Sequence, residues 1–204
     1  MNIKSYLSEI AKQKKITPDS LQLPDCELDP EKIKVIMISE VPPQNPEDDF
    51  YSDELQPDYM KTTLGLFEKA GVDVKSIQDI LNMGIYITTA VKIPKKSYMV
   101  DNDVIKKHLP ILEAELTLFP NLKVIMLMGD VAKKTVNMIA QTKTKKNIIP
   151  SQPTGRIRIN EYYWNGIRVF PSYIMTGKNL LIEPFKRDTI ADDIRRMMTL
   201  LKNI

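Results

Sequence analysis

Ile3, Leu7 and Ile10 recur at helical spacing in an otherwise basic and polar segment, which predicts an amphipathic helix over residues 2–15. A proline-punctuated connection through Pro30 follows and holds Cys26. The run KIKVIMIS, residues 32–39, is apolar and β-branched, and reads as a buried strand. Glu40-Val41-Pro42-Pro43 ends it and opens a long polar loop through residue 58. Met60, Leu64, Phe67 and Ala70 then mark a helix over residues 59–70, capped by Gly71. A shorter helix is expected near residues 75–81.

GIYITTAV, residues 84–91, is a second buried strand, and leads into Lys92-Ile93-Pro94-Lys95-Lys96. Residues 103–119 carry a strong helical pattern in which Pro110 predicts a kink or two segments. Residues 123–128 form a third buried strand, followed by Gly129-Asp130 and a helix over 131–140. Residues 156–163 and 167–172 flank Asn165-Gly166, a hairpin signal, and 167–170 supply the fourth core strand. A polar loop and a closing helix over 189–201 complete the chain. Apolar strands alternating with helices predict an α/β protein: a three-layer α/β/α sandwich around a mostly parallel four-stranded sheet. No repeat or internal linker divides it, so residues 1–204 are expected to form one domain, with 1–30 as an N-terminal helix and connection.

Composition narrows the chemistry. The chain has one cysteine and one histidine in 204 residues, which excludes a disulfide framework, a four-thiolate zinc site and a multi-histidine metal centre within one chain. A Ser-His-Asp or Cys-His site would have to use His108, which falls inside a helix pattern and reads as structural; Cys26 reads as an inert thiol. There is no secretory h-region near Met1 and no apolar run long enough to span a membrane, so a cytoplasmic protein with no membrane partner is expected. The net charge of +3 is compatible with a polyanionic partner without demanding one. Neither G-x-G-x-x-G nor the Walker pattern occurs, which argues against a generic nucleotide-binding or flavodoxin-like domain.

In parallel sheets ligands bind outside the carboxyl ends of the strands. Here those ends are residues 39–43, 88–96, 129–130 and 171–179, which gather one carboxylate, Glu40, with hydroxyls, prolines and lysines, and neither histidine nor cysteine.

Four segments around these ends resemble, in order, the motifs of uracil-DNA glycosylases, especially the iron–sulfur branch. VIMISEVPP, residues 35–43, is similar to that branch's hydrophobic run followed by G-E-A-P-G. IYITTAVKIP, residues 85–94, resembles Y-x-T-N-x-V-K-C-x-P. HLPILEAEL and VIMLMGDVA resemble C-x-P-x-L-x-x-E-L and V-I-x-x-L-G-x-x-A. TGRIRI with NGIRVFPSYIM resembles R-G-R followed by G-x-x-V-x-P-T-Y-H-P. Together they cover residues 33–196.

The resemblance implies a uracil-DNA glycosylase-like fold and a hydrolase of base-excision DNA repair, cleaving the N-glycosidic bond of uracil or another deaminated base in DNA without metal or other cofactor. It places Glu40 as the catalytic carboxylate and Pro42, Phe50, Tyr51 and Thr89 around the base, with Tyr51 favoured for stacking. Lys95, Lys96, Ser172, Tyr173, Lys178 and Asn179 are expected along DNA, with Lys92 grouped beside the first two and a second basic cluster at Lys143, Lys145, Lys146, Arg156 and Arg158. The departures are specific. The motif histidine falls on Ile174 and its proline on Met175; the base-reading asparagine falls on Thr89; cluster cysteines fall on Ile93 and His108; the first-motif glycines fall on Ser39 and Pro43. An altered base specificity follows, and the competing class is a nucleic-acid or nucleobase-binding protein that retains the scaffold but not the cleavage.

Overall fold

The computed structural model describes residues 1–97, 99–177 and 183–202. Helix α1, Ile3–Gln13, starts at Asn2, whose side chain accepts from Ser5 N at 2.8 Å and so satisfies a free amide of the first turn. Strand β1 is Val35–Ser39, shorter than the apolar run because residues 30–32 form a 3₁₀ turn capped by Asp29. Next come α2 (Asp58–Lys69), α3 (Ile77–Asn82, capped by Ser76), β2 (Ile85–Thr89), α4 (Asn102–Leu118), β3 (Val124–Met128) and α5 (Asp130–Thr144). A short helix α6 (Thr154–Ile157), strands β4 (Tyr162–Trp164) and β5 (Ile167–Ser172), and α7 (Pro184–Lys202) follow.

The sheet order is β2-β1-β3-β5-β4, with β4 antiparallel to β5 and every other pairing parallel. The central sheet therefore has five strands, not four: the first arm of the hairpin joins it as an edge strand. Asn165 and Gly166 at the turn take φ of 50° and 81°, the left-handed pair that a two-residue hairpin requires. Only residues 162–164 of that arm are strand; residues 154–157 coil into α6 because the Arg158 side chain is drawn to α7, where it meets Asp192 and Asp193 at 2.8 Å. Helix α4 runs through Pro110 without dividing, giving up only the bond that a residue-110 amide would make to the carbonyl of Lys106. Helix α7 begins five residues earlier than the periodicity suggests, at Pro184, whose fixed φ suits a first turn.

All residues of β1, β2 and β3 are buried, as strands covered on both faces must be. Side chains of Ile36, Ile38, Tyr86, Ile125 and Leu127 pack with α1, α4 and α5 on one face. Val35, Met37, Ile87, Met126 and Phe170 pack with α2, α3 and α7 on the other. From β1 the chain thus crosses one face to β2 and the opposite face to β3. The sheet's switch point lies between the carboxyl ends of β1 and β3.

Candidate functional site

Glu40 is the residue after β1, and Gly129 the residue after β3, so the two meet at the switch point. The half-buried Glu40 carboxylate accepts from Val131 N at 3.1 Å, in the first turn of α5, where free amides and the helix dipole favour an anion. Its side chain lies flat on Gly129: a methyl carbon there would stand 2.8 Å from Cγ and 2.9 Å from Cδ. Gly129 also takes φ of 101°, a conformation that L side chains rarely adopt. Among the described residues, Oε1 carries the one hydrogen bond of this carboxylate and Oε2 has none. The strand exits stay paired beyond the sheet, with Ala90 N on Ser39 O at 2.8 Å and Val91 N on Glu40 O at 3.1 Å. Pro42 and Pro43 are buried.

The other expected base contacts are distributed differently. Phe50 is 2% exposed and belongs to the core on the α2 side. Its ring meets Tyr59 edge-on at 5.2 Å. Tyr51 donates its hydroxyl to Ile87 O at 2.7 Å, two residues short of the end of β2, and covers the outer edge of that strand. Burial raises the Tyr51 phenol well above its ordinary range. Thr89 closes β2 beside Ser39 in register.

Sequence reasoning passed over Tyr59, on α2, and Asp49, in the loop before it. The Tyr59 hydroxyl donates to Val41 O at 3.4 Å; burial is the main cause raising its pKa, with Asp49, Asp48 and Glu40 adding to it. In sequence it is indistinguishable from the apolar stripe of α2. Asp49 is raised from the ordinary carboxylate value by burial, against the opposing pull of the Tyr51 and Phe50 amides and the Lys92 charge.

Lys92 is not a phosphate-contacting lysine, which corrects its grouping with Lys95 and Lys96. It is fully buried and donates to Glu115 Oε2 at 2.6 Å, Thr88 Oγ1 at 2.6 Å and Thr89 O at 2.7 Å. Glu115 Oε1 in turn accepts from Tyr86 and Thr88, both at 2.6 Å. Every ammonium proton is used, and burial lowers the Lys92 pKa against the counter-pull of Glu115. Lys95 and Lys96 are exposed on the rim of a cavity of about 250 Å³ that Val41, Val91 and Val104 also line. Gln44 donates to the Lys95 carbonyl and joins the loops after β1 and β2.

At the end of β5, Ser172 is buried and donates to Asp193 Oδ2 at 2.8 Å. Arg158 pairs with the same carboxylate, so this hydroxyl serves the β5–α7 junction. Arg158 is thereby withdrawn from the second basic cluster. Tyr173 is half-buried; its hydroxyl rests on Gly155, where a methyl carbon would be 2.8 Å away, and the Lys186 ammonium lies 5.6 Å over its ring. Ile174 is half-buried and Met175 lies in the core on the α2 side. Lys178 and Asn179 fall outside the described residues. His108 is 2% exposed, with Nδ1 on Val104 O at 2.7 Å, and burial lowers its pKa. Burial pushes the Cys26 thiol up to about 12. Among the described residues no cluster of three or more His, Cys, Asp or Glu side chains is placed to hold a metal ion, and no helix is long and apolar enough to cross a membrane.

No family model and no curated protein sequence matches this chain. Among solved structures it is similar to the wild-type uracil-DNA glycosylase UNG of Nitratifractor salsuginis, with TM-score 0.42 and 12% identity over 93% of this chain and 84% of that one. A point mutant of the same protein gives TM-score 0.42 and 12% identity over 94% and 86%.

Proposed function

We propose that this chain is a DNA glycosylase-like hydrolase that breaks the N-glycosidic bond of uracil or another deaminated base in DNA. The observation that carries the reading is Glu40: the strand-end carboxylate in the G-E-A-P-G-like segment, at the switch point, with one oxygen anchored on α5 and the other bonded to none of the described residues. Such an enzyme takes the nucleotide out of the stack and meets two developing charges, a cationic sugar and an anionic base. An anchored carboxylate suits the first, by stabilising the oxocarbenium-like sugar and orienting water on it. The second needs a donor aimed at the base, a contribution of roughly 3–4 kcal/mol where single donors of this kind have been removed. Ile174 offers none from its side chain. The Tyr59 hydroxyl, which donates to the carbonyl of Val41 next to Glu40, and the backbone amides of 175–177 are the donors at hand. Lys95 and Lys96 supply exposed charge for the DNA backbone.

The second reading, a protein that binds a base or nucleic acid without cleaving, is favoured by the same Ile174. One experiment separates them. Single-stranded and duplex oligonucleotides carrying uracil, hypoxanthine or xanthine are incubated with the protein and treated with alkali. Strand breaks that disappear in Glu40→Gln support the enzyme. Salt-sensitive binding without breaks supports the second reading, and no binding at low salt rejects both.

A further inference from the structure

The last row of side chains on the α2/α7 face of the sheet differs from the row beneath it. Ser39 pairs with Thr89, Ile38 with Leu127, and Met128 with Ser172, so the row runs Thr89, Ser39, Met128, Ser172 across four strands. Two residues lower the row is Ile87, Met37, Met126 and Phe170, all apolar. Three hydroxyls therefore arrive together at the carboxyl ends. That of Ser172 is taken by Asp193. Ser39 is fully buried and, among the described residues, its Oγ has no hydrogen-bond partner. A second unpartnered buried hydroxyl, Thr63 Oγ1, lies on α2, the helix that covers this face.

An unpaired buried hydroxyl is destabilising, and native cores carry few of them. One placed at a strand end, on the residue directly before Glu40, points to a ligand that completes it. In-register residues of neighbouring strands are about 4.8 Å apart, so the Ser39 and Thr89 hydroxyls can converge on the edge of one ring. Thr89 is buried, 5% exposed, and the buried Lys92 ammonium fixes its carbonyl at 2.7 Å.

We propose that Ser39 is a specificity-determining residue of the site and reads, together with Thr89, the pairing edge of a nucleobase. This rests on the glycosylase-like reading of the same site. A lactam edge presents a carbonyl acceptor beside an N–H donor, and uracil and hypoxanthine share it. Each hydroxyl can rotate to donate or accept, so the pair matches that edge in either order. An amide side chain at position 89 would impose one order.

The test uses Ser39→Ala and Thr89→Ala in the full chain. Base release is measured from oligonucleotides with one deoxyuridine or one deoxyinosine, free uracil and hypoxanthine binding by calorimetry, and the melting temperature of each variant. The expected result for Ser39→Ala is a loss of about tenfold in kcat/KM on both substrates, with the melting temperature unchanged or raised, because the hydroxyl it removes bonds nothing in the fold. Unchanged kinetics overturn the proposal, and so does lost activity that tracks a lowered melting temperature. If the wild-type protein releases neither base, the glycosylase reading fails, and free-base binding decides Ser39 separately. Roughly tenfold weaker binding in Ser39→Ala supports it; equal or undetectable binding overturns it.

Discussion

Glu40 lies flat against Gly129, 89 positions further along the chain, so the carboxylate at the switch point occupies the space a side chain at 129 would need. Gly129→Ala is expected to cost about 2–4 kcal/mol, from a methyl group driven into Glu40 and from a strained φ. Urea unfolding measures it. Glu40→Ala/Gly129→Ala should lose less than the sum of the two single variants, since truncating Glu40 removes the clash but not the strain.

Lys92 and Glu115 form an ion pair with both partners fully buried. Lys92→Met is expected to destabilise by about 3–5 kcal/mol, because it leaves the Glu115 carboxylate buried without its counter-ion. Lys92→Met/Glu115→Leu should recover most of that loss. Equal denaturation midpoints for Lys92→Met and the wild-type protein would contradict the buried network.

Asp49 yields a pH dependence of definite sign. Its folded-state pKa is raised above the ordinary 3.8, so between those two values the folded protein holds more protons than the unfolded chain. Its contribution to stability is therefore fully present below 3.8 and is lost as pH rises through the folded value. The stability of the wild-type protein relative to Asp49→Asn should fall as pH increases across that window and level off above it. Chemical denaturation of both proteins at a series of pH values reads this slope.

Lys95 and Lys96 are exposed and unburdened by the network that holds Lys92. If both contact phosphate, Lys95→Glu/Lys96→Glu should lower the magnitude of the salt dependence of single-stranded DNA binding by at least about 1.4 in the log–log slope, two contacts at about 0.7 each. Fluorescence anisotropy with a labelled oligonucleotide gives the slope. An unchanged slope removes this pair from the nucleic-acid surface.

The residues that were easiest to place are those whose role depends on their own segment. Glu40 could be singled out because it is the carboxylate that directly follows a buried strand, and Asn165-Gly166 because two adjacent positive φ values need those residue types. Tyr59 could not, since an aromatic in the first turn of an amphipathic helix looks the same whether it faces core or crevice. Phe50 and Tyr51 lie side by side in sequence yet separate in space, one into the α2-side core and the other along the outer edge of β2. No local pattern distinguishes those two fates.

Period and composition alone determined the alternating helices and strands, the burial of β1 to β3 on both faces, and the gathering of candidate groups at the strand ends, because these follow from short-range periodicity and from where helix-covered parallel sheets are open. Tertiary structure alone decided which distant groups meet there. Lys92 reads like its neighbours Lys95 and Lys96 until Glu115 packs against it; Ser172 reads as a free strand-end hydroxyl until Asp193 takes it; Ser39 is one more small residue until the strand order leaves its hydroxyl buried and unmatched. The pairing of a buried polar group depends on what the fold brings to it from elsewhere in the chain, and periodicity carries no record of that.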